Sequence, residues 1–156
     1  MTSCIRSLIV GLGVLVLAAG LSACGGGEET LPAGTLTKKQ FLAKATPICV
    51  EGAKEAQQAD EAAWNRYQPD HITQDEVVLN KISLALVPAR EKAVRRLRAI
   101  GLPKGEEKRV DEILTAAEEG FEEGRDDPPL LREGTKEFGL TRAYEMGTRY
   151  GLEGCW

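Results

Sequence analysis

Apolar and small residues recur along most of this chain at steps of three and four, a period that fits helices and leaves little room for strands. The clearest stripe is Phe41, Ala45, Ile48, Gly52, Ala56, Ala59 and Ala63, which predicts a first helix reaching about Tyr67. Its start is well marked. Thr37 is placed to cap it, Gln40 to complete a capping box, and Leu36 to staple onto Phe41. Pro47 cannot donate its amide to the Ala43 carbonyl, so the spacing predicts a kink there, or a fresh start with Thr46 as the cap. Cys49 lies beside the stripe in either case.

The turn from Gln68 to His71 carries Pro69 and Asp70, and the same start device follows it: Thr73 as cap, Glu76 for the box, and Ile72 stapling onto Val77. A second helix then runs to Ile100 along Val78, Ile82, Ala85, Ala89, Ala93 and Leu97, with a kink expected at Pro88. Gly101-Leu102-Pro103 stops it. A third helix is expected from about Glu106 to Glu123, with Val110, Ile113, Leu114, Ala117 and Phe121 on one face and Gly124 and Asp127-Pro128-Pro129 at its end. Thr135 is the expected cap of a fourth helix carrying Phe138, Ala143, Met146 and Tyr150, closed by Gly151-Leu152. Aromatic residues make up only 5% of the chain, so the core must come from small aliphatic contacts. The fold expected is all-α: a small four-helix bundle-like domain over 37–156, kinked at Pro47 and Pro88.

Ahead of it, 1–23 has the layout of a secretory signal, with Arg6 near the start, an apolar run from Leu8 to about Leu21 and small residues at the end. The run is short and broken by Gly11, Gly13 and Gly20, which argues against a retained membrane span. Leu21-Ser22-Ala23-Cys24 looks like the lipobox of bacterial prolipoproteins. That resemblance implies cleavage between Ala23 and Cys24 and a diacylglyceryl group, with further fatty acyl chains such as palmitate, on the Cys24 sulfur. Each buried methylene contributes about 0.8 kcal/mol, so two or three chains would hold firmly. Residues 24–36 are glycine-rich and read as a tether, a flexible coil of roughly 17 to 21 Å root-mean-square span.

With Cys4 lost in the signal and Cys24 acylated, Cys49 and Cys155 remain. In an oxidising, exported setting they are expected to form one disulfide; the alternative is two free thiols. A Cys-x-x-Cys pair is absent.

The formal net charge is -4, and loss of Arg6 with the signal makes the remainder one unit more acidic. That is the wrong sign for a nucleic-acid partner. Glu118, Glu119, Glu122, Glu123, Asp126 and Asp127 crowd the end of the third helix, where the dipole disfavours anions. They read as a solvated acidic face relieved by Arg125 and Arg132, or as a hard-cation site using Glu119, Glu122, Glu123, Asp126 and Asp127; their spacing matches no EF-hand loop. Arg90, Lys92, Arg95, Arg96 and Arg98 sit where the second helix's dipole welcomes cations; contact with anionic headgroups is the functional alternative. His71 is the single histidine, which removes most nucleophile-histidine dyads and two-histidine metal sites. Trp64, Tyr67, Tyr144 and Tyr150 are expected to cap the core rather than line a ligand groove.

The lipobox, the glycine-rich tether, Ile48-Cys49, the Leu102-Pro103 stop and the closing Tyr150-Gly151-Leu152 before Cys155 together resemble small helical, disulfide-closed lipoproteins of bacteria. The resemblance brings no catalytic residues, no cofactor beyond the covalent lipid, and no resident metal. It implies a lipid-anchored protein on the extracytoplasmic side of the cell membrane that binds or supports another envelope component. The alternatives are a divalent-cation binder using the acidic cluster and, less supported by the residues, an enzyme.

Overall fold

The computed structural model describes residues 34–68, 70 and 74–156. The signal segment, Ala23, Cys24, the tether up to residue 33, Pro69, His71 and the Ile72-Thr73 start lie outside the described residues. Within them the chain is helical: α1 (Lys38–Tyr67), α2 (Glu76–Ala85), α3 (Val87–Ala99), α4 (Glu107–Asp126), the four-residue α5 (Leu130–Glu133) and α6 (Gly139–Tyr150). An isolated bridge between Leu36 and Pro103 is the nearest approach to a strand among the described residues. None of the described helices is long and apolar enough to cross a membrane.

The start of α1 is as expected: Thr37 Oγ1 accepts from the Gln40 amide at 3.3 Å, and Gln40 Oε1 accepts from the Thr37 amide at 2.9 Å. Leu36 and Phe41 both join the core. The helix then runs unbroken through Pro47. There is no fresh start, because the Thr46 hydroxyl donates back to the Leu42 carbonyl at 2.9 Å instead of capping.

Four expectations about the helix boundaries are corrected. The second expected helix is two: Leu86 separates α2 from α3, and Pro88 sits in the first turn of α3, where a missing amide costs nothing. The cap of α2 is Asp75, whose carboxylate accepts from the Val77 and Val78 amides at 2.9 and 3.2 Å, so the Thr73–Glu76 box does not set the start. Gly124 does not stop α4; it is buried inside the helix, where Leu131 of α5 packs so close that a Cβ would meet it at 2.4 Å. Thr135 caps nothing. α6 begins four residues later behind Phe138, and the Glu123 carboxylate, reaching across from α4, accepts the Gly139 amide at 2.8 Å.

Residues 34–36, expected to end the tether, are part of the domain. The Gly34 amide donates to the Leu102 carbonyl at 2.8 Å, the Lys104 amide to the Leu36 carbonyl at 2.7 Å, and Leu36 is buried. Both glycine stops hold: Gly101 and Gly151 take φ of 82° and 104°, and the Leu152 amide bonds back to the Gly147 carbonyl at 2.8 Å.

One core joins the elements. Phe41, Leu97, Val110, Leu114, Phe121 and Leu152 are among its fully buried side chains. α1 packs along α2 and α3, and α4 lies along α6. The α4–α6 approach is close because Gly120 and Gly139 face one another. A Cβ on Gly139 would stand 2.4 Å from the Gly120 amide nitrogen and 2.5 Å from the Ala116 carbonyl oxygen. Cys49 on α1 is bonded to Cys155 in the tail, which closes 106 residues of sequence separation. In the chain-entropy account a loop of this size is worth roughly 4 to 5 kcal/mol.

Because both obstacles to Gly139→Ala are backbone atoms, that single methyl is expected to lower stability by about 2 kcal/mol or more, an overpacking cost with no flexible side chain to absorb it. A thermal melt of the oxidised protein checks this. A midpoint unchanged within a degree or two contradicts the α4–α6 packing.

Candidate functional site

The residues expected to carry charge chemistry serve mostly as cross-links between helices. Arg98 is the main node: Nε and Nη2 donate to the two Glu118 oxygens at 2.7 and 2.8 Å, Nη1 to Asp111 at 2.6 Å, and Nη2 also to Thr115 at 3.0 Å. The Glu118 bonds, more than offsetting partial burial, hold this guanidinium above its ordinary pKa. Arg96 pairs with Glu51 at 2.6 Å and Lys92 with Glu55 at 2.7 Å, joining α3 to α1. The Arg96 hydrogen bond, then its charge, holds the exposed Glu51 carboxyl below the usual range. Three of the five members of the basic run therefore face carboxylates on neighbouring helices, a use that only the packing reveals.

The acidic cluster is taken apart in the same way. Glu118 goes to Arg98, Glu119 to Arg142 and Glu123 to the start of α6, while Glu122, Asp126 and Asp127 stay exposed. Arg125 and Arg132, expected to relieve the cluster, instead pair with Glu91 and Glu76. Among the described residues no three His, Cys, Asp or Glu side chains gather as a metal ion requires.

The aromatics divide. Tyr150 is core, edge-on to Phe41 with ring centroids 6.3 Å apart, and Lys38 Nζ lies 4.2 Å from its centroid. Its phenol is pushed well above the ordinary 10.0, first by burial and then by the neighbouring Glu106 carboxylate. Tyr150 Oη and Glu106 Oε2 are both buried, yet neither is in hydrogen-bond geometry with any partner among the described residues. Tyr67 is partly exposed beneath the Lys81 ammonium and Trp64 is half-buried, whereas Tyr144 is 57% exposed.

Tyr144 marks the site that the sequence reading missed. A cavity of about 300 Å³ opens between the α2–α3 break, α5, the start of α6 and the C-terminal tail. Leu86, Leu131, Leu140, Phe138, Tyr144 and Trp156 form its apolar walls. Three of them are put there by local features of the fold. The break in the α2–α3 path presents Leu86, the side-chain-free flank at Gly124 admits Leu131, and the bond at Cys155 sets the next residue, Trp156, onto Gly147. The indole packs so tightly that a Cβ on Gly147 would lie 2.8 Å from Nε1, which is buried without a hydrogen-bond partner among the described residues.

Arg90 and Arg132 are the cations on this wall, and they differ. Arg132 is engaged by Asn80 at 2.6 Å and Glu76 at 2.9 Å. Arg90 is half-buried; its contact is one long hydrogen bond, 3.5 Å, to the Gly154 carbonyl, and no carboxylate among the described residues pairs with it. Burial depresses its pKa. A second groove, about 550 Å³, lies between α4 and α6, with Asp111, Glu112, Glu119, Arg142, Glu145 and Arg149 along it. Its mixed charges are already partly satisfied by one another. The apolar cavity is the better candidate, since its wall combines uncommitted apolar surface with one uncommitted cation. The signal for it in the sequence was Trp156 directly after Cys155 and the Leu130-Leu131 pair behind two prolines.

Comparison of the chain with family models, with curated proteins and with solved structures finds no match.

Burial favours the neutral phenol of Tyr150 in the folded state, so its stabilising effect is complete below pH 10 and is lost as pH rises from 10 towards the higher folded-state pKa. Tyr150→Phe is therefore expected to flatten the fall in stability above pH 10, since it removes the buried hydroxyl beside Glu106 that must ionise there. Denaturant midpoints at pH 7 and 10.5 check this; an identical alkaline fall in both proteins contradicts it.

Proposed function

We propose that this chain is a lipid-anchored, extracytoplasmic helical module that acts by binding a component of its envelope surroundings and catalyses no reaction. The observation that carries the reading is the Cys49–Cys155 bond, since such closures persist in oxidising compartments outside the cytoplasm. It agrees with the signal layout of 1–23 and with Leu21-Ser22-Ala23-Cys24, from which the address and the anchor are inferred. Acylation of Cys24 leaves 25–33 to join the lipid to Gly34, which is bonded to the domain, so the domain is held near the membrane surface.

The binding half of the reading rests on the apolar cavity. Its walls offer hydrophobic surface, one cation and the exposed hydroxyl-bearing ring of Tyr144. Several of the charged groups elsewhere are engaged in pairs that hold helices together, which suits a rigid receptor or scaffold better than an acid-base catalyst.

In a bacterial host, wild-type protein is expected in the membrane fraction and to incorporate a fatty-acid probe. Cys24→Ala is expected to lose the label and resist processing at Ala23. Unlabelled wild-type protein, or a labelled Cys24→Ala variant, overturns the anchor.

A further inference from the structure

The half-buried Arg90 lies on an apolar wall without a carboxylate to neutralise it, and that combination is unfavourable unless something else supplies the anion. Five other arginines, Arg96, Arg98, Arg125, Arg132 and Arg142, reach carboxylates on other elements, whereas Arg66, Arg95 and Arg109, which have no such pair among the described residues, are exposed to solvent. Glu133 also lines the cavity, but it is exposed and forms no pair with Arg90.

We propose that the cavity beside Arg90 binds a single-chain aliphatic carboxylate, a fatty-acid anion whose chain lies against Leu86, Leu131, Leu140 and Trp156 and whose head meets the Arg90 guanidinium. This deepens the binding half of the proposed function and does not depend on the lipid anchor. Three features select this occupant. One uncommitted guanidinium matches one negative charge, and its planar fork fits the two coplanar oxygens of a carboxylate. Arg132, already held by Glu76 and Asn80, is not free to serve a dianionic phosphate. A volume of about 300 Å³ is at the small end of ligand pockets, which suits one chain better than two.

The residues nearest the head support the assignment. Thr141 and Tyr144 line the same cavity and carry hydroxyls able to donate to the second carboxylate oxygen. Burial already penalises the Arg90 charge, so an anion that meets it there gains more than it would at an exposed arginine.

The test is native mass spectrometry of the full-length chain, released from a non-ionic detergent, with laurate, 1-dodecanol and dodecyl phosphate as probes. Laurate is expected to give a saturable one-to-one adduct, while dodecanol, with the same chain and no charge, binds roughly ten- to a hundredfold more weakly. This comparison needs no variant. Arg90→Gln is expected to bring laurate down to the level of dodecanol, and Arg90→Lys to restore part of the difference. Equal binding of laurate and dodecanol, tighter binding of dodecyl phosphate, absence of any laurate adduct, or a dimer mass that laurate fails to shift would each overturn the proposal. None of these outcomes bears on whether Cys24 is acylated, so failure here leaves the membrane address standing.

Discussion

The bond between Cys49 and Cys155 is the constraint on which the rest of the arrangement leans. Without it, the residues after Gly151 would be a short tail with few backbone bonds to hold it. With it, Cys155 is fully buried against α1, Leu152 enters the core, and Trp156 is pressed onto Gly147 of α6. The tail thereby becomes one wall of the apolar cavity, and α6 is tied through it to the first helix of the domain. A core made largely of alanine, valine and leucine gains little per residue, so a covalent closure of this length supplies a sizeable share of the few kcal/mol that separate a small folded domain from its unfolded ensemble.

Electrostatics does a second job, that of fixing helix register. Pairs on α3 reach α1 on one side and α4 on the other, and Glu123 spans from α4 to the amide that opens α6. Exposed pairs of this kind contribute little singly. Their value here is directional: Arg98, held by two carboxylates and a threonine at once, tolerates one relative placement of α3 and α4 and few others. Arg66, Arg95 and Arg109 also stand outside this scheme but are exposed; Arg90 is half-buried and lines the cavity, and the functional reading follows from that difference.

Much of the architecture was legible in the sequence because local chemistry wrote it. The Thr37–Gln40 box, the stripe from Phe41 to Ala63 and the two glycine stops depend on neighbours a few residues away, and all are in place. The disulfide was legible from cysteine usage once two of the four had been assigned elsewhere. What was not legible depended on contacts made across the fold. Gly124 reads as a stop in isolation, yet it is a packing surface for Leu131; Thr135 reads as a cap, yet the cap is a carboxylate on another helix. The cap of α2 is Asp75, whose carboxylate reaches two amides at once. The acidic cluster left a solvated face and a cation site both open, because sequence shows which residues crowd together but not which arginines face them. The cavity left the weakest trace, since Leu86, Leu131 and Trp156 lie far apart along the chain and meet only after the tail is tied down.

The most direct measurement of the central claim is the intact mass of the native protein after alkylation under denaturing conditions, with and without prior reduction. The account predicts no alkylation at Cys49 or Cys155 before reduction, two added groups after it, and a single bridged peptide pair on digestion. Two alkylatable thiols at those positions in unreduced protein would contradict it, and with them would go the placement of Trp156 and the cavity it completes.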